Sequence, residues 1–272
     1  MKLTKIQLRS ITAYCLLAIA ALALPALAAD RNAREVTEAL FAAKPGEPVD
    51  LAGLDHTDHD LAGLDFKGAN LADADLYGTD LTSAKLAKAN LSFTRLDRAL
   101  LIRADFSGAN LEGATMLRPT IFSDMTFNRK EAPRFTAARL VRLRVQARMD
   151  GADFSDADMT EADFSPLEDR AGEGSITTVP RNELSNCSFT RAKMHGANFR
   201  RATLRYASFR DADLNGASFF EADLTQADFR GADVTGADFT GADLARADFS
   251  NAKGLAAAKG LERAANFETT IR

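Results

Sequence analysis

Along most of the chain one apolar residue, Leu or Phe, recurs at every fifth position, and the residue two before it is usually Ala. The residue just before this centre is commonly Asp, Asn or Ser, and two mostly polar residues follow it. From Phe189 to Phe249 the spacing never slips, giving 13 units; a run from Leu51 to Ile121 gives 15, and Met149, Phe154, Met159 and Phe164 give four. A period of five matches neither the helical repeat of 3.6 nor the strand repeat of two, so neither element alone explains it. It matches a chain that turns a corner every five residues and points two of the five inward, so that four sides close a coil of 20 residues. Residues 20 apart test this independently. Phe189, Phe209, Phe229 and Phe249 share a type, as do Phe199, Phe219 and Phe239, and Leu204, Leu224 and Leu244, while Met194, Leu214 and Val234 make the fourth column. The pattern predicts two opposite Phe faces alternating with two Leu-like faces.

Units such as ADLNG at 212–216 and ADFTG at 237–241 resemble the pentapeptide-repeat family, and the resemblance covers most of residues 49–251. It implies an all-β fold, a right-handed quadrilateral parallel β-helix with Ala and Leu or Phe inside. At a strand spacing of about 4.8 Å, about eight coils would give a rod roughly 40 Å long. Ala is small because it shares a narrow interior with the centre, and Gly after centres, as at Gly216 and Gly241, suits a corner that needs permissive backbone. Cys187 falls in the Ala position before Phe189 and reads as a small buried filler.

An open stack of coils needs covering at its ends. Residues 29–48 read as an N-terminal helical cap, with Asp30 as N-cap, Val36, Leu40 and Ala43 on one face, and Pro45-Gly46 as the stop. Residues 252–272 read as a C-terminal cap, with helix-forming residues from Leu255 to Ala265. The repeat region, 49–251, is interrupted at 122–148 and 166–186. In the first break Val141, Leu143, Val145, Ala147 and Met149 alternate with Arg142, Arg144, Gln146 and Arg148, a half-buried strand pattern in an imperfect coil with a loop near Ala132-Pro133. The second, with Pro166, Gly172, Gly174 and Pro180, fits either an extruded loop or a degenerate whole coil. These two breaks are the places where a localised function would sit.

The first 28 residues have a different character. Lys2, Lys5 and Arg9 precede an apolar run from Ile11 to Leu24, and Ala26-Leu27-Ala28 supplies small residues for cleavage. This predicts a cleavable signal peptide cut after Ala28, and a periplasmic or secreted mature chain with no transmembrane segment. Cleavage would take the formal charge from −4 to −7, by removing three basic residues, and would leave Cys187 as the only thiol.

Candidate chemistry is sparse. No nucleophile elbow, phosphate loop, HExxH or CxxC is present, so the expected function is non-enzymatic and no cofactor is implied. His56 sits at a centre and His59 at an Ala position, so both point inward; the pair would bind a metal or sense pH, or stand as tolerated polar residues in a loosely packed first coil. Charge says more. Residues 47–80 hold nine acidic and one basic residue, 118–148 eight basic and two acidic, 150–173 nine acidic and one basic, 189–210 six basic and no acidic, and 217–251 seven acidic and two basic. The resemblance brings in members that confer quinolone resistance, mimic duplex DNA and bind DNA gyrase. That alternative needs a continuous negative surface and a cytoplasmic chain, whereas this one is banded and carries an export signal. Direct nucleic-acid binding is not expected either, since no aromatic platform interleaves with the Arg residues. The expected role is a scaffold whose basic bands, at Arg142, Arg144, Arg148, Arg200, Arg201 and Arg205, either dock a protein or an anionic envelope component or pair with neighbouring Asp columns. Homodimers through the ends of the rod are compatible with the pattern.

Overall fold

The computed structural model describes residues 32–44, 46–124, 127–167 and 181–272. The signal-peptide segment, Asp30, Pro45 and the middle of the second break (168–180) lie outside the described residues.

One unit, Asp75 to Thr79, shows why five residues make a side. The amide of Asp75 donates to Leu54 O of the preceding coil at 3.0 Å, while those of Leu76 and Gly78 donate to Arg95 O and Asp97 O of the following coil at 2.9 and 3.0 Å. The Thr79 amide closes the turn on Leu76 O at 3.2 Å. The fifth amide, that of Tyr77, would be orphaned, and Asp75 Oδ1 accepts it at 3.0 Å. Every backbone donor of the unit is thus satisfied without water. The residue two after the centre takes a positive φ whether it is Gly78 (+68°) or a bulky residue such as Tyr206 (+58°). That conformation, with the turn bond, is type II-like.

Repeating the unit stacks coils in parallel. Four bridge columns run along the molecule, and we call their sides A to D in chain order from Asp50, Asp55, Asp60 and Asp65. Side A runs through Asp50, Asn70, Asn90, Asn110, Arg139, Asp158, Lys193, Asp213, Asp233 and Lys253, which makes ten coils. The centres and the Ala positions are almost all buried. Phe106, Phe135, Phe154, Phe189, Phe209, Phe229 and Phe249 stack with centroids 4.6–5.1 Å apart. The opposite column, Phe164, Phe199, Phe219 and Phe239, stacks at 4.9–5.7 Å. The two columns meet edge to face, the arrangement aromatic quadrupoles favour.

Both breaks are shorter than the sequence suggests. Arg134 pairs with Asp105 across 29 residues rather than 20, so nine extra residues leave between Thr120 on side C and Arg134 on side D. The side from Arg144 to Arg148 is one residue short, which puts Asp163 only 19 beyond Arg144. These two irregularities together produce the phase shift of three. The strand pattern is partly realised: β2 (Arg144–Gln146) pairs in parallel with β1 (Thr115–Leu117). Val141 and Arg142 instead form a corner, with Arg142 at φ +55°. At the second break Asn198 stacks on Asp163 across 35 residues. An intervening coil would have separated these two, so the 15 additional residues are an extruded excursion between sides B and C. The ladder is back by Glu183, which pairs with Arg148.

At the N-terminal end α1 (Ala33–Ala42) lays Val36 and Leu40 on the first coil. Its N-cap is Asn32, in a capping box with Glu35, rather than Asp30. Lys67 Nζ donates to Leu40 O and Ala43 O at 2.7 and 3.3 Å, placing a cation at the negative end of the helix. At the other end no α-helix forms. Three 3₁₀ turns, Leu255–Ala257, Leu261–Arg263 and Phe267–Thr269, lie between bridges at Lys253, Lys259, Ala265 and Ile271. The last segment is therefore a tenth coil with six-residue sides, in which backbone pairing to the coil before it overrides helix propensity.

Candidate interaction surface

The outward polar side chains are mostly committed to the stack. The residue before the centre accepts the amide two places on throughout, as Asp238 does from Thr240 at 2.9 Å and Asp248 from Ser250 at 2.9 Å. On side A, Asn70, Asn90 and Asn110 also form an amide ladder down to Asp50 at 2.9–3.1 Å. These hydrogen bonds favour the charged form of the acids. Asp233 lies below the usual carboxylate range because the Thr235 hydroxyl and amide both bond to it. Burial opposes ionisation of Asp223, yet hydrogen bonds from Thr225 and Arg205 outweigh it and hold the group low.

Stacking also cancels the charge bands. A basic band placed about one coil from an acidic band puts each Arg beside a carboxylate. Arg142 pairs with Glu112, Arg201 with Glu221 at 2.7 Å, and Arg205 with Asp223 at 2.5 Å. Arg144 meets Asp163 at 3.1 Å and donates to Ser165 O at 2.7 Å, where the second excursion leaves. Arg148 pairs with Asp150 at 3.2 Å and with Glu183 at 3.0 Å, where that excursion returns. Asn182, fully buried, completes this anchor: its amide donates to Phe164 O and Val145 O at 2.5 and 3.2 Å and accepts from the Ala147 amide at 2.6 Å. Sequence reading missed Asn182; its signal is a polar residue in an Ala position five before Cys187. Among the six Arg residues, Arg200 alone has a ring rather than a carboxylate as its described partner, lying 4.7 Å from the centroid of Phe220.

The six do not form one patch. Arg142, Arg144 and Arg148 belong to the fifth coil and the others to the seventh, with the root of the second excursion between them. Arg200 and Arg201 occupy the corner between sides B and C, and Arg205 the corner between C and D, beside the half-exposed Tyr206.

His56 and His59 do come together, with centroids 5.5 Å apart; His56 is fully buried and His59 half-buried. Among the described residues no group of three or more ligand-type side chains assembles. Cys187 is buried, with Sγ 3.1 Å from Met149 O, and burial raises its thiol pKa, which keeps it an unreactive filler. No helix among the described residues is long and apolar enough to cross a membrane.

Parallel coils with five-residue sides define a repeat protein whose every unit needs its neighbours. A model described as pentapeptide repeat region matches residues 182–255, and one described as pentapeptide repeats (8 copies) matches 49–82, 79–116 and 145–165. The chain belongs to the pentapeptide-repeat family. No curated protein matches it. Among solved structures it is similar to HetL, a pentapeptide repeat protein involved in heterocyst differentiation regulation from the cyanobacterium Nostoc sp. strain PCC 7120, with 25% identity over 86% of this chain and 94% of that one, at a TM-score of 0.45. It is also similar to trypsin-treated QnrB1, a plasmid-mediated fluoroquinolone resistance protein, with 16% identity over 81% of this chain and 91% of that one, at 0.43. A pentapeptide repeat protein of the Arabidopsis thaliana thylakoid lumen shares 26% identity over 47% of this chain and 76% of that one, at 0.25.

Proposed function

We propose that the chain is a right-handed quadrilateral β-solenoid that works without catalysis, as a periplasmic or secreted scaffold holding a protein or an anionic envelope component. The observation that carries this reading is the surface of the seventh and eighth coils. Arg200 stacks on Phe220, and Arg205 and the 53%-exposed Tyr206 follow on the next corner. Exposed Arg and aromatic side chains held on a rigid frame are the residues that dominate protein interfaces. The acids, by contrast, are engaged in turn capping and cross-coil pairs, which favours a binding role over a catalytic one.

Export follows from the basic, apolar and small-residue order of residues 1–28. Cell fractionation with N-terminal sequencing tests it: a periplasmic or secreted chain beginning at Ala29 or Asp30 is expected. An uncleaved chain in the cytoplasm would overturn the localisation and the envelope partner with it.

A further inference from the structure

The first excursion opens the corner between sides C and D at the fourth coil. Arg103 is the corner residue of the coil before, and Gly151 that of the coil after. The Arg103 amide donates to Glu131 O at 2.7 Å, so the returning limb of the excursion supplies the acceptor that a regular turn would have given. The loop is seated from above. A Cβ on Gly151 would come within 2.9 Å of the Phe127 ring and 3.3 Å of Arg129 Cγ, and Phe127 in turn packs edge to face on Phe122 at 6.0 Å.

Between these residues lies a cleft of about 450 Å³ walled by Arg103, Arg129, Lys130 and Arg134, with Asp153 and Gly151. Its cations differ from those along the regular coils. There, 20-residue stacking sets Arg beside a carboxylate, as with Arg191 and Asp156 at 2.7 Å or Arg201 and Glu221. Nine extra residues take Arg129 and Lys130 out of that register, and neither forms an ion pair with a described residue. Arg103 uses its Nε on Ser83 Oγ at 3.0 Å, so its terminal nitrogens remain. The nearby acids have partners already. Asp105 pairs with Arg134 at 2.9 Å, Asp153 accepts from Thr136 Oγ1 at 3.2 Å and the Ser155 amide at 3.0 Å, and Glu131 accepts from the Ser123 amide and hydroxyl, both at 2.8 Å.

We propose that this cleft binds a compact phosphate-bearing anion. Guanidinium forks match the oxygens of a phosphate two at a time, and Lys130 adds a point charge at the rim. The volume is within the range of small-molecule sites, roughly 300–1,000 Å³. The inference goes beyond the scaffold reading, since it involves other residues and holds wherever the chain resides.

The test is calorimetric titration of the full chain with pyrophosphate, alongside co-sedimentation with vesicles of pure phosphatidylglycerol or pure phosphatidylcholine. The variant is Arg129→Glu with Lys130→Glu, both solvent-exposed in the loop; Arg103→Gln is the second, and each is checked for an unchanged thermal transition. Saturable one-site binding of pyrophosphate is expected, weakened at least about tenfold in the double variant. If only phosphatidylglycerol vesicles bind, with the same loss in the variant, the phosphate is a lipid headgroup's. Absence of binding to both probes, or equal binding by the variants, overturns the proposal.

Discussion

Phe219 and Phe229 meet edge to face across the interior of the coil stack, with centroids 6.1 Å apart and planes at 85°. Phe229 also stacks on Phe209 at 4.8 Å and on Phe249 at 4.6 Å. Three rings therefore lose a neighbour when it is truncated, in an interior too narrow for the backbone to close the gap. Phe229→Ala is expected to cost about 3–5 kcal/mol, read as a lower urea midpoint. Because each coil contacts only its neighbours, hydrogen exchange should show protection lost beyond residue 229 and retained in the coils from Leu51 to Leu111. Loss of protection spread evenly along the chain would contradict this nearest-neighbour picture. Phe229→Leu should be milder, since the same column already holds Leu86.

The tenth coil rests on two glycines for different reasons than most corners do. At Gly260 a Cβ would lie 2.6 Å from the Thr240 backbone, and φ is +73°. At Gly216 the φ is +67° but nothing lies within 4 Å. Gly216→Ala should cost about 1 kcal/mol, the left-handed penalty alone. Gly260→Ala adds a clash that backbone cannot relieve, so it should detach the last coil and expose Leu255 and Leu261 to limited proteolysis. Equal proteolytic resistance in the two variants would count against six-residue pairing.

That coil also marks the limit of what the sequence conveys. The period of five and the sorting of Phe and Leu at intervals of 20 make the coils readable from Leu51 to Phe249, because a stacked interior imposes both. Beyond Phe249 the same information is present at a period of six, in Gly254 and Gly260 and in Leu255, Leu261 and Phe267. Helix propensity at Leu255–Ala265 masks it. The two breaks hid their extent because a run of centres cannot show whether an added segment is a side, a coil or an excursion; only the pairing of Asp163 with Asn198 decides. The banding of charge was legible, but its cancellation depends on which corner each Arg occupies. The cleft at the first excursion was not legible at all, since it depends on Phe127 folding onto Gly151.

Asp238 separates the capping role of the acids from their charge. Its Oδ1 accepts the Thr240 amide, and no ion pair to a described residue accompanies that bond. Asp238→Asn keeps the acceptor and should be near neutral in stability, whereas Asp238→Ala orphans the amide and should cost about 1 kcal/mol. Chemical denaturation of the two variants decides the matter, and equal losses would assign the effect to charge.

Stability should fall in acid. Asp156, held low by Arg191, and Asp233, held low by Thr235, are depressed in the folded chain, as is Asp223, where hydrogen bonds overcome burial. A depressed carboxylate binds fewer protons folded than unfolded, so its contribution is present above the unfolded value near 4 and disappears as pH drops through the folded one. The urea midpoint is expected to decline steadily below about pH 4. A midpoint unchanged from pH 4 downward would show that these hydrogen bonds do not favour the charged form.

Neutralising Arg142, Arg144, Arg200 and Arg205 together tests the basic bands. Three of them belong to exposed or half-exposed cross-coil pairs, with Glu112, Asp163 and Asp223. Such pairs each contribute about 0–1 kcal/mol, so the thermal transition should shift only modestly. Removing four positive charges at a docking surface should instead abolish capture of an envelope partner that wild type holds in a salt-sensitive way. Arg144 is the complication, because its guanidinium also donates to Ser165 O at the root of the second excursion. A triple variant that spares it separates the two roles. Capture lost in both variants places the docking charge on Arg142, Arg200 and Arg205, whereas capture lost only in the quadruple variant makes the anchored excursion part of the surface. Capture undiminished in both would remove the basic bands from the binding function.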